Sequence, residues 1–287
     1  IRAAGLGRSG KDAEALYFFF YYPIGVERHR GMAPWATWGL MVLMTAIFIF
    51  FRFNPQAALA SWEWWIYFPQ QPWRPGLVFS ILNHAGWGHL IGNLVYLWCF
   101  GPSLERVLGF RRFLLLFVFL GVIANFAQGF VSEYLLTRYA GLGVVGASGA
   151  LSGLMGLFLL RFPAARIRTA WVIFSPLHGL ARSGVIGIPS LLAVGAWVLL
   201  QMVHAGASAL GGVDGTAYGA HFGGLALGIL IGLAYRFPRE GRIYLRRERV
   251  RSRLSKGDFY GAYELVQPLL VRDDPEDLSI AARVSSL

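Results

Sequence analysis

The stretch "GLGVVGASGALSG" at residues 141–153 opens an apolar run that continues to residue 160. It contains five glycines and two serines, Ser148 and Ser152, where a membrane-spanning helix would normally begin with bulky apolar side chains. Small residues allow neighbouring helices to approach closely. The first N–H groups of a helix also have no partner within that helix. The stretch therefore predicts a closely packed helix start with a polar side chain at it.

The composition of the whole chain indicates a membrane protein. Of its 287 residues 56% are hydrophobic and 14% are charged, and its mean hydropathy is +0.52. Soluble proteins carry about 25% charged residues. The single cysteine, Cys99, excludes a disulfide within the chain and a cysteine-based zinc cluster, and the sequence has no HExxH motif. We therefore expect neither a metal nor a cofactor.

Six apolar segments predict an all-α integral membrane protein with a bundle of six transmembrane helices. The hydrocarbon core of a bilayer, about 30 Å thick, needs about 20 apolar residues per helix. The segment between the first two helices, residues 54–85, is rich in Trp and Pro and is expected to be embedded at the outer interface. Residues 169–180 are expected to form an interfacial loop. The predicted spans are residues 35–53, 86–104, 113–131, 146–161, 187–205 and 215–235.

The distribution of basic residues predicts that both termini are cytoplasmic. With that orientation 23 of the 26 Lys and Arg residues lie in inner segments, as the positive-inside rule requires. The net charge of +11 then reflects topology and contact with the lipid bilayer, and no nucleic acid is expected as a partner. Residues 257–287 are a candidate surface for a cytoplasmic partner. The predicted domains are an N-terminal cytoplasmic segment (1–34), a six-helix membrane domain (35–236) and a basic cytoplasmic tail with a helical hairpin (237–287).

Four polar residues from three predicted helices fall at a similar depth below the outer surface. Ser148 and His221 lie near the starts of the fourth and sixth helices, and His89 and Asn93 lie near the start of the second. His89 and Asn93 are four residues apart and share one helix face. Such groups often only form hydrogen bonds between helices. Their convergence at one level toward one surface favours a functional site.

These residue types suit acyl transfer. A serine hydroxyl needs a base within hydrogen-bond reach, which His221 would be for Ser148. A developing oxyanion needs preorganised donors, which the Ser148 N–H and the side chains of Asn93 and His89 would supply. No carboxylate is expected beside the histidine, so the predicted unit is a dyad. Gly224 belongs to a stripe of small residues after His221, which is expected to allow close helix packing.

Three motifs together resemble the rhomboid intramembrane serine proteases. They are "GASG" at 146–149, "AHFGG" at 220–224 and "HAGWGHLIGN" at 84–93. The pair Trp73–Arg74 and the "GPSLE" that ends at Glu105 are also similar to that family. The resemblance covers about residues 22–236.

The resemblance implies a serine endopeptidase of the cell membrane that cleaves transmembrane segments of other proteins near the outer face. Separately, 24 of the 26 basic residues are Arg, and this composition alone indicates a bacterial source and hence a bacterial inner membrane. Ser148 would be the nucleophile and His221 the general base and acid. Ser152 stands where many members carry an aromatic residue that packs on the catalytic histidine. The implied oxyanion donors are Asn93, His89 and the Ser148 amide, and the implied structural residues are Gly146, Gly149, Trp73, Arg74, Glu105 and Gly224.

Two other functions remain open at this point. A rhomboid-like protein without catalysis would bind or chaperone transmembrane clients. A transporter would place its polar groups near the bilayer midplane, between inverted repeats. Neither a midplane position nor an inverted repeat is found in the sequence, which makes the transporter the weaker alternative.

Overall fold

The computed structural model describes residues 18–26, 33–175, 180–210, 215–270 and 275–285, which are mostly helical. The helices of the N-terminal half are α1 (Trp35–Phe53), α2 (Pro55–Ala60), α3 (Trp62–Trp65), α4 (Gly76–Phe79), α5 (Trp87–Leu108) and α6 (Phe110–Phe130). The remaining helices are α7 (Ser148–Arg161), α8 (Ser190–Ala209), α9 (Tyr218–Ala234), α10 (Phe237–Ser255), α11 (Phe259–Leu270) and α12 (Pro275–Ser285). Short 3₁₀ turns cover Ser80–Leu82 and Thr137–Tyr139, and a π-helical turn, Val131–Leu135, extends α6.

Three helices in the described chain are long and apolar enough to cross a membrane. They are α1, α6 with its π-helical extension, and α8. A fourth span results only if α9 and α10, which are bent by 80° relative to each other, are counted as one. Helix α7 is apolar but has only 14 residues. A mostly helical chain with several membrane-length helices is thus confirmed, whereas the count of six spans stays a prediction.

A three-stranded antiparallel sheet corrects the all-α prediction. Its strands, in spatial order, are β1 (Phe18–Val26), β2 (Arg166–Ser175) and β3 (Leu180–Pro189). In the stretch 169–180, predicted to be an interfacial loop, residues 169–175 belong to β2 and Leu180 begins β3, while residues 176–179 lie outside the described residues. Strand β1 pairs with β2 from a distant part of the chain, and such non-local pairing leaves no local signal in the sequence. The indole Nε1 of Trp98 on α5 donates a hydrogen bond to the carbonyl of Ile24, which attaches β1 to the helices.

Helix α7 lies at the centre of the membrane domain. It packs most extensively against α9 and also contacts α5, α6 and α10. All residues from Gly149 to Phe158 are buried. A helix with apolar residues on every side is covered either by other helices or by lipid, and α7 is covered by other helices. This central position makes the first turn of α7 a place where several helices can contribute side chains.

Glycines bring the backbones of α7 and α9 into direct contact. A methyl group on Gly224 would overlap the carbonyl oxygen of Gly149, and one on Gly228 would overlap that of Gly153. The predicted stripe of small residues therefore lies in a helix interface. Because the two helices are this close, the first turn of α9 lies directly beside the first turn of α7.

Two sets of hydrogen bonds attach α1 and the segment 54–85 to distant parts of the chain. The carboxylate of Glu105, on α5, accepts hydrogen bonds from the N–H groups of Ala36 and Thr37 at the start of α1. In the segment 54–85, Tyr67 and Val144 exchange two backbone hydrogen bonds of 3.0 and 2.8 Å. The long first loop is thereby attached to the chain that precedes α7, and its embedding in the outer leaflet stays a prediction.

The last three helices form a small hydrophobic core of their own. Val250 on α10, Ala262 and Val266 on α11, and Ile280 on α12 are buried together. An ion pair of 2.6 Å between Arg247 and the fully buried Asp277 links α10 to α12. These helices lie within the segment predicted as a basic tail with a helical hairpin.

Candidate active site

Ser148 and His221 lie within hydrogen-bond distance of each other. Ser148 is the first residue of α7, and His221 lies in the first turn of α9. The hydroxyl oxygen of Ser148 and the Nε2 of His221 are 2.9 Å apart. Only 8% of His221 is exposed, so its ring is held by packing. The close α7–α9 contact explains how two residues far apart in sequence meet with this geometry.

His89 and Asn93 line the same site from α5. Both border a cavity of about 200 Å³ that Ser148 and His221 also line. One N–H of the Asn93 side-chain amide donates a hydrogen bond of 2.9 Å to the backbone carbonyl of His89. The second N–H of the same amide can donate to another acceptor. Gly146 has a positive φ of 117°, and a side chain there would meet the His89 imidazole. The four residues that the sequence places at one depth are therefore gathered around one cavity.

A larger cavity of about 530 Å³ adjoins the same residues. It is lined by His89, Ser148 and His221 together with the segment Leu142–Val145 and residues 215–217. The starts of α5, α7 and α9 all border it, so the site lies at one end of the bundle. The hydroxyl of Ser148 thus faces space large enough for a peptide segment.

Helix α8 contributes two side chains that the sequence reading missed. The Oε1 atom of Gln201 lies 2.7 Å from the Nδ1 of His221. The Trp197 ring packs beside the same imidazole, with 5.7 Å between the ring centroids. Both residues look like ordinary members of an apolar helix in the sequence. The only local signal comes from Gln201, because a glutamine is rare in the middle of a membrane span.

Gln128 on α6 was also missed. Its side-chain oxygen accepts a hydrogen bond of 3.3 Å from the backbone N–H of Ala220, the residue before His221. Gln128 is buried and lines the larger cavity. The contact holds the first turn of α9 against α6, which helps to place the imidazole.

The remaining residues named from the sequence lie outside both cavity linings. Arg74 pairs with Glu63 at 2.5 Å within the first loop. Trp73 is 87% exposed and its ring contacts Phe126. Glu105 binds the start of α1 and is not beside His221.

The site's polar groups fit no metal. In the described parts of the chain no three His, Cys, Asp or Glu side chains are grouped so as to hold a metal ion. The arrangement instead combines a hydroxyl, an imidazole and amide donors around a cavity. A serine nucleophile with a histidine base uses groups of these kinds.

Comparison with known sequences agrees with this arrangement. The profile of the Rhomboid domain matches residues 69–237, which is more than half of the chain. The chain belongs to the rhomboid family. The matched region contains the α7 and α9 residues that meet at the cavity.

Several rhomboid relatives share parts of the sequence. "Putative rhomboid protease YdcA" of Bacillus subtilis is 40% identical over 101 residues, which cover 35% of this chain and 43% of the relative. "RHOMBOID-like protein 5" of Arabidopsis thaliana is 31% identical over 161 residues, 56% of this chain and 43% of the relative. "Rhomboid protein 1, mitochondrial" of Saccharomyces cerevisiae is 33% identical over 162 residues, 54% of this chain and 40% of the relative. The chain thus spans less than half the length of each of these relatives.

Proposed function

We propose that this rhomboid is a serine endopeptidase that cleaves transmembrane segments of membrane proteins near their outer ends. The observation that carries the proposal is the 2.9 Å separation between the Ser148 hydroxyl oxygen and the His221 Nε2 at a cavity inside a helical bundle. Membership in a family that includes proteins named as proteases supports it.

The first half of the reaction is acylation of the serine. The Ser148 oxygen attacks the carbonyl carbon of the scissile peptide bond, and its proton passes to the Nε2 of His221. The tetrahedral intermediate then collapses, the C–N bond breaks, and His221 gives the proton to the departing amine. The N-terminal part of the substrate stays on Ser148 as an ester through its new carbonyl end, and the C-terminal part leaves as the amine.

The second half regenerates the enzyme. Water attacks the ester carbonyl while His221 accepts one of its protons. Collapse of the second tetrahedral intermediate returns the proton to the Ser148 oxygen and releases a carboxylic acid. The larger cavity beside Ser148 provides space through which water can reach this bond.

Three donors would stabilise the oxyanion of both intermediates. The N–H of Ser148, at the start of α7, has no acceptor within its own helix. Asn93 and His89 border the cavity from α5. Donors fixed in place before the reaction stabilise developing charge without reorganisation. Asn93 is already oriented by its hydrogen bond to the His89 carbonyl.

The location of the site follows from the proposed topology. With cytoplasmic termini and six spans, the end of the bundle where α5, α7 and α9 begin faces outward, in a bacterial inner membrane. A peptide bond inside a helix has its carbonyl hydrogen-bonded, so the substrate helix must unwind locally before attack. We therefore expect cleavage close to the membrane surface and beside helix-breaking residues of the substrate.

Activity of the purified protein tests the proposal. A transmembrane peptide with Gly or Pro near its outer end is incubated with the protein in proteoliposomes, and products are identified by mass spectrometry. Ser148→Ala and His221→Ala are each expected to lower kcat by at least about a thousandfold. Ser252→Ala and His204→Ala are matched controls, since both side chains are exposed and neither lines the two cavities.

Cleavage that persists in Ser148→Ala would overturn the proposal. A wild-type protein that binds the peptide, stays folded and cuts nothing would instead establish the non-catalytic alternative. A fluorophosphonate probe supplies an independent readout, since it should label Ser148 only when His221 activates the hydroxyl.

A further inference from the structure

Helix α8 contacts the imidazole of His221 in two ways. The Gln201 oxygen lies 2.7 Å from Nδ1, and the Trp197 ring packs at 45° to the imidazole plane. The two residues are four positions apart and so share one helix face. Most of α8 is exposed, and its buried residues are Ser190, Val194 and Ser208. Gln201 and Trp197 therefore lie on the face that meets the site.

The contact with Gln201 decides which nitrogen of the ring carries the proton. A side-chain amide oxygen can only accept a hydrogen bond, so it favours the tautomer in which Nδ1 holds the hydrogen. In that tautomer Nε2 has a free electron pair directed at the Ser148 hydroxyl, 2.9 Å away. In Ser–His–Asp enzymes a carboxylate has this orienting role at Nδ1. Here a neutral amide occupies the same place.

Helix α7 carries no aromatic residue one turn after Ser148. Ser152, one turn after Ser148, is small, and its hydroxyl donates to the Ser148 carbonyl at 2.7 Å. No bulky side chain stands at that position to pack on the imidazole. Trp197 lines the same cavity as Ser152 and supplies a ring contact from the opposite helix.

We propose that Gln201 is a positioning residue that holds His221 in its reactive tautomer and orientation, with Trp197 packing on the ring. The inference rests on the proposed function, and it makes the orientation of the base depend on α8. Any displacement of α8 away from α7 and α9 separates Gln201 from His221 and lowers the reactivity of Ser148.

Three substitutions of Gln201 test this inference. Gln201→Leu removes the acceptor, Gln201→Asn keeps an amide but withdraws it by one methylene group, and Gln201→Glu keeps an acceptor at full length. Two quantities are measured: the rate constant for labelling of Ser148 by a fluorophosphonate, and kcat and KM for the transmembrane peptide. Met202→Leu is the matched control, because Met202 is 59% exposed on the same helix.

The labelling rate and kcat are expected to fall by about tenfold to a hundredfold in the Leu and Asn variants, with KM unchanged. Gln201→Glu is expected to recover most of the rate, and Met202→Leu to match the wild type. The small probe needs no docking of a substrate helix, so its rate reports the serine and its base. If Gln201→Leu fails to fold, Gln201→Asn still provides the test.

Unchanged labelling and kcat in a folded Leu or Asn variant would overturn the role of Gln201, as would a change in KM alone. In both cases an active wild type would leave the proposed protease function intact. A wild type that neither labels nor cleaves would refute the protease function itself, so the two failures are distinguishable.

Discussion

The carboxylate of Glu105 binds Thr37 twice, accepting its backbone N–H at 2.8 Å and its hydroxyl at 2.7 Å. This contact joins the C-terminal end of α5 to the first turn of α1, where unpaired N–H groups and the helix dipole favour a negative charge. Glu105 is buried, with 5% of its surface exposed. Its role is therefore to hold two helices together at the end of the bundle opposite to Ser148.

Replacement of Glu105 is expected to destabilise the fold. Glu105→Ala leaves the donors of Ala36 and Thr37 buried without an acceptor, and the free energy of unfolding should fall by about 3 kcal/mol. Unfolding in mixed detergent and SDS measures the change. Glu248→Ala, which removes a surface ion pair with Arg251, should change stability by less than about 1 kcal/mol. Equal effects of the two changes would contradict this role for Glu105.

A methyl group in the α7–α9 interface is expected to disturb both stability and activity. Gly228→Ala would place a methyl group against the Gly153 carbonyl, force the helices apart and lower stability by about 1–3 kcal/mol. His221 would move with α9, so peptide cleavage should fall as well. Gly195→Ala on α8 is the control, since no atom lies within 4 Å of its added methyl group. The prediction fails if both variants behave alike in SDS unfolding and in the cleavage assay.

Loss of one oxyanion donor is expected to lower kcat. Asn93→Ala removes an amide that borders the cavity, and a loss of about a hundredfold to a thousandfold is typical for one such donor. KM should change little, because the interaction strengthens in the transition state. Steady-state kinetics with the transmembrane peptide measures both constants. Asn54→Ala, at the exposed end of α1, should retain full activity.

The stability of the protein is expected to fall at mildly acidic pH because of His84. Burial in the loop before α5 and, second, the charge of nearby His89 lower the pKa of His84 from 6.5 to about 4. Between these values the unfolded chain binds a proton that the folded chain does not. The contribution of neutral His84 to the free energy of unfolding is therefore fully present above pH 6.5 and is lost as the pH falls toward 4. The loss amounts to about 3 kcal/mol at most.

A comparison of His84→Gln with the wild type isolates this effect. The wild type should lose stability between pH 7.5 and 5 by more than the variant does, as measured from detergent unfolding midpoints. His204→Gln, at an exposed position on α8, should keep the pH dependence of the wild type. An identical pH dependence in wild type and His84→Gln would exclude His84 as its source.

The last three helices are expected to depend on the buried ion pair between Arg247 and Asp277. Arg247→Met leaves the fully buried Asp277 carboxylate without this partner, which destabilises the packing of α12 by about 3–5 kcal/mol. Hydrogen exchange in α12 should then become faster, while peptide cleavage is unchanged. The double change Arg247→Met and Asp277→Leu should restore slow exchange, because no unpaired charge remains. Continued fast exchange in the double variant would contradict this explanation.

Much of the helical framework and the main site residues were predictable because their signals are local. The first apolar run predicts residues 35–53, and α1 covers Trp35–Phe53. The start of the next long helix, predicted at 86, is found at Trp87. Each depends on a continuous apolar stretch and on the residues that end it. The four-residue spacing also sufficed to place His89 and Asn93 on one helix face. The resemblance to the rhomboid family is confirmed by the match to the Rhomboid domain.

Other features depend on segments that meet only in the folded chain. The sheet requires β1 to pair with β2 across most of the helical domain, so no window of sequence contains both partners. Helix α8 begins at Ser190, three residues later than predicted, because β3 extends to Pro189. Gln201 was missed for the same kind of reason. Its significance comes only from its distance to a ring on another helix.

The sequence by itself determined the membrane character, most helix positions, the family and the candidate pair Ser148 and His221, because hydropathy and short motifs depend on residues that are neighbours in the chain. Only the tertiary structure decided that glycines bring α7 against α9, that a β-sheet joins the segment before α1 to the chain between α7 and α8, and that α8 supplies Gln201 to His221. Hydrogen bonds and backbone overlaps act over about 3–4 Å, so they are settled by which helices pack together.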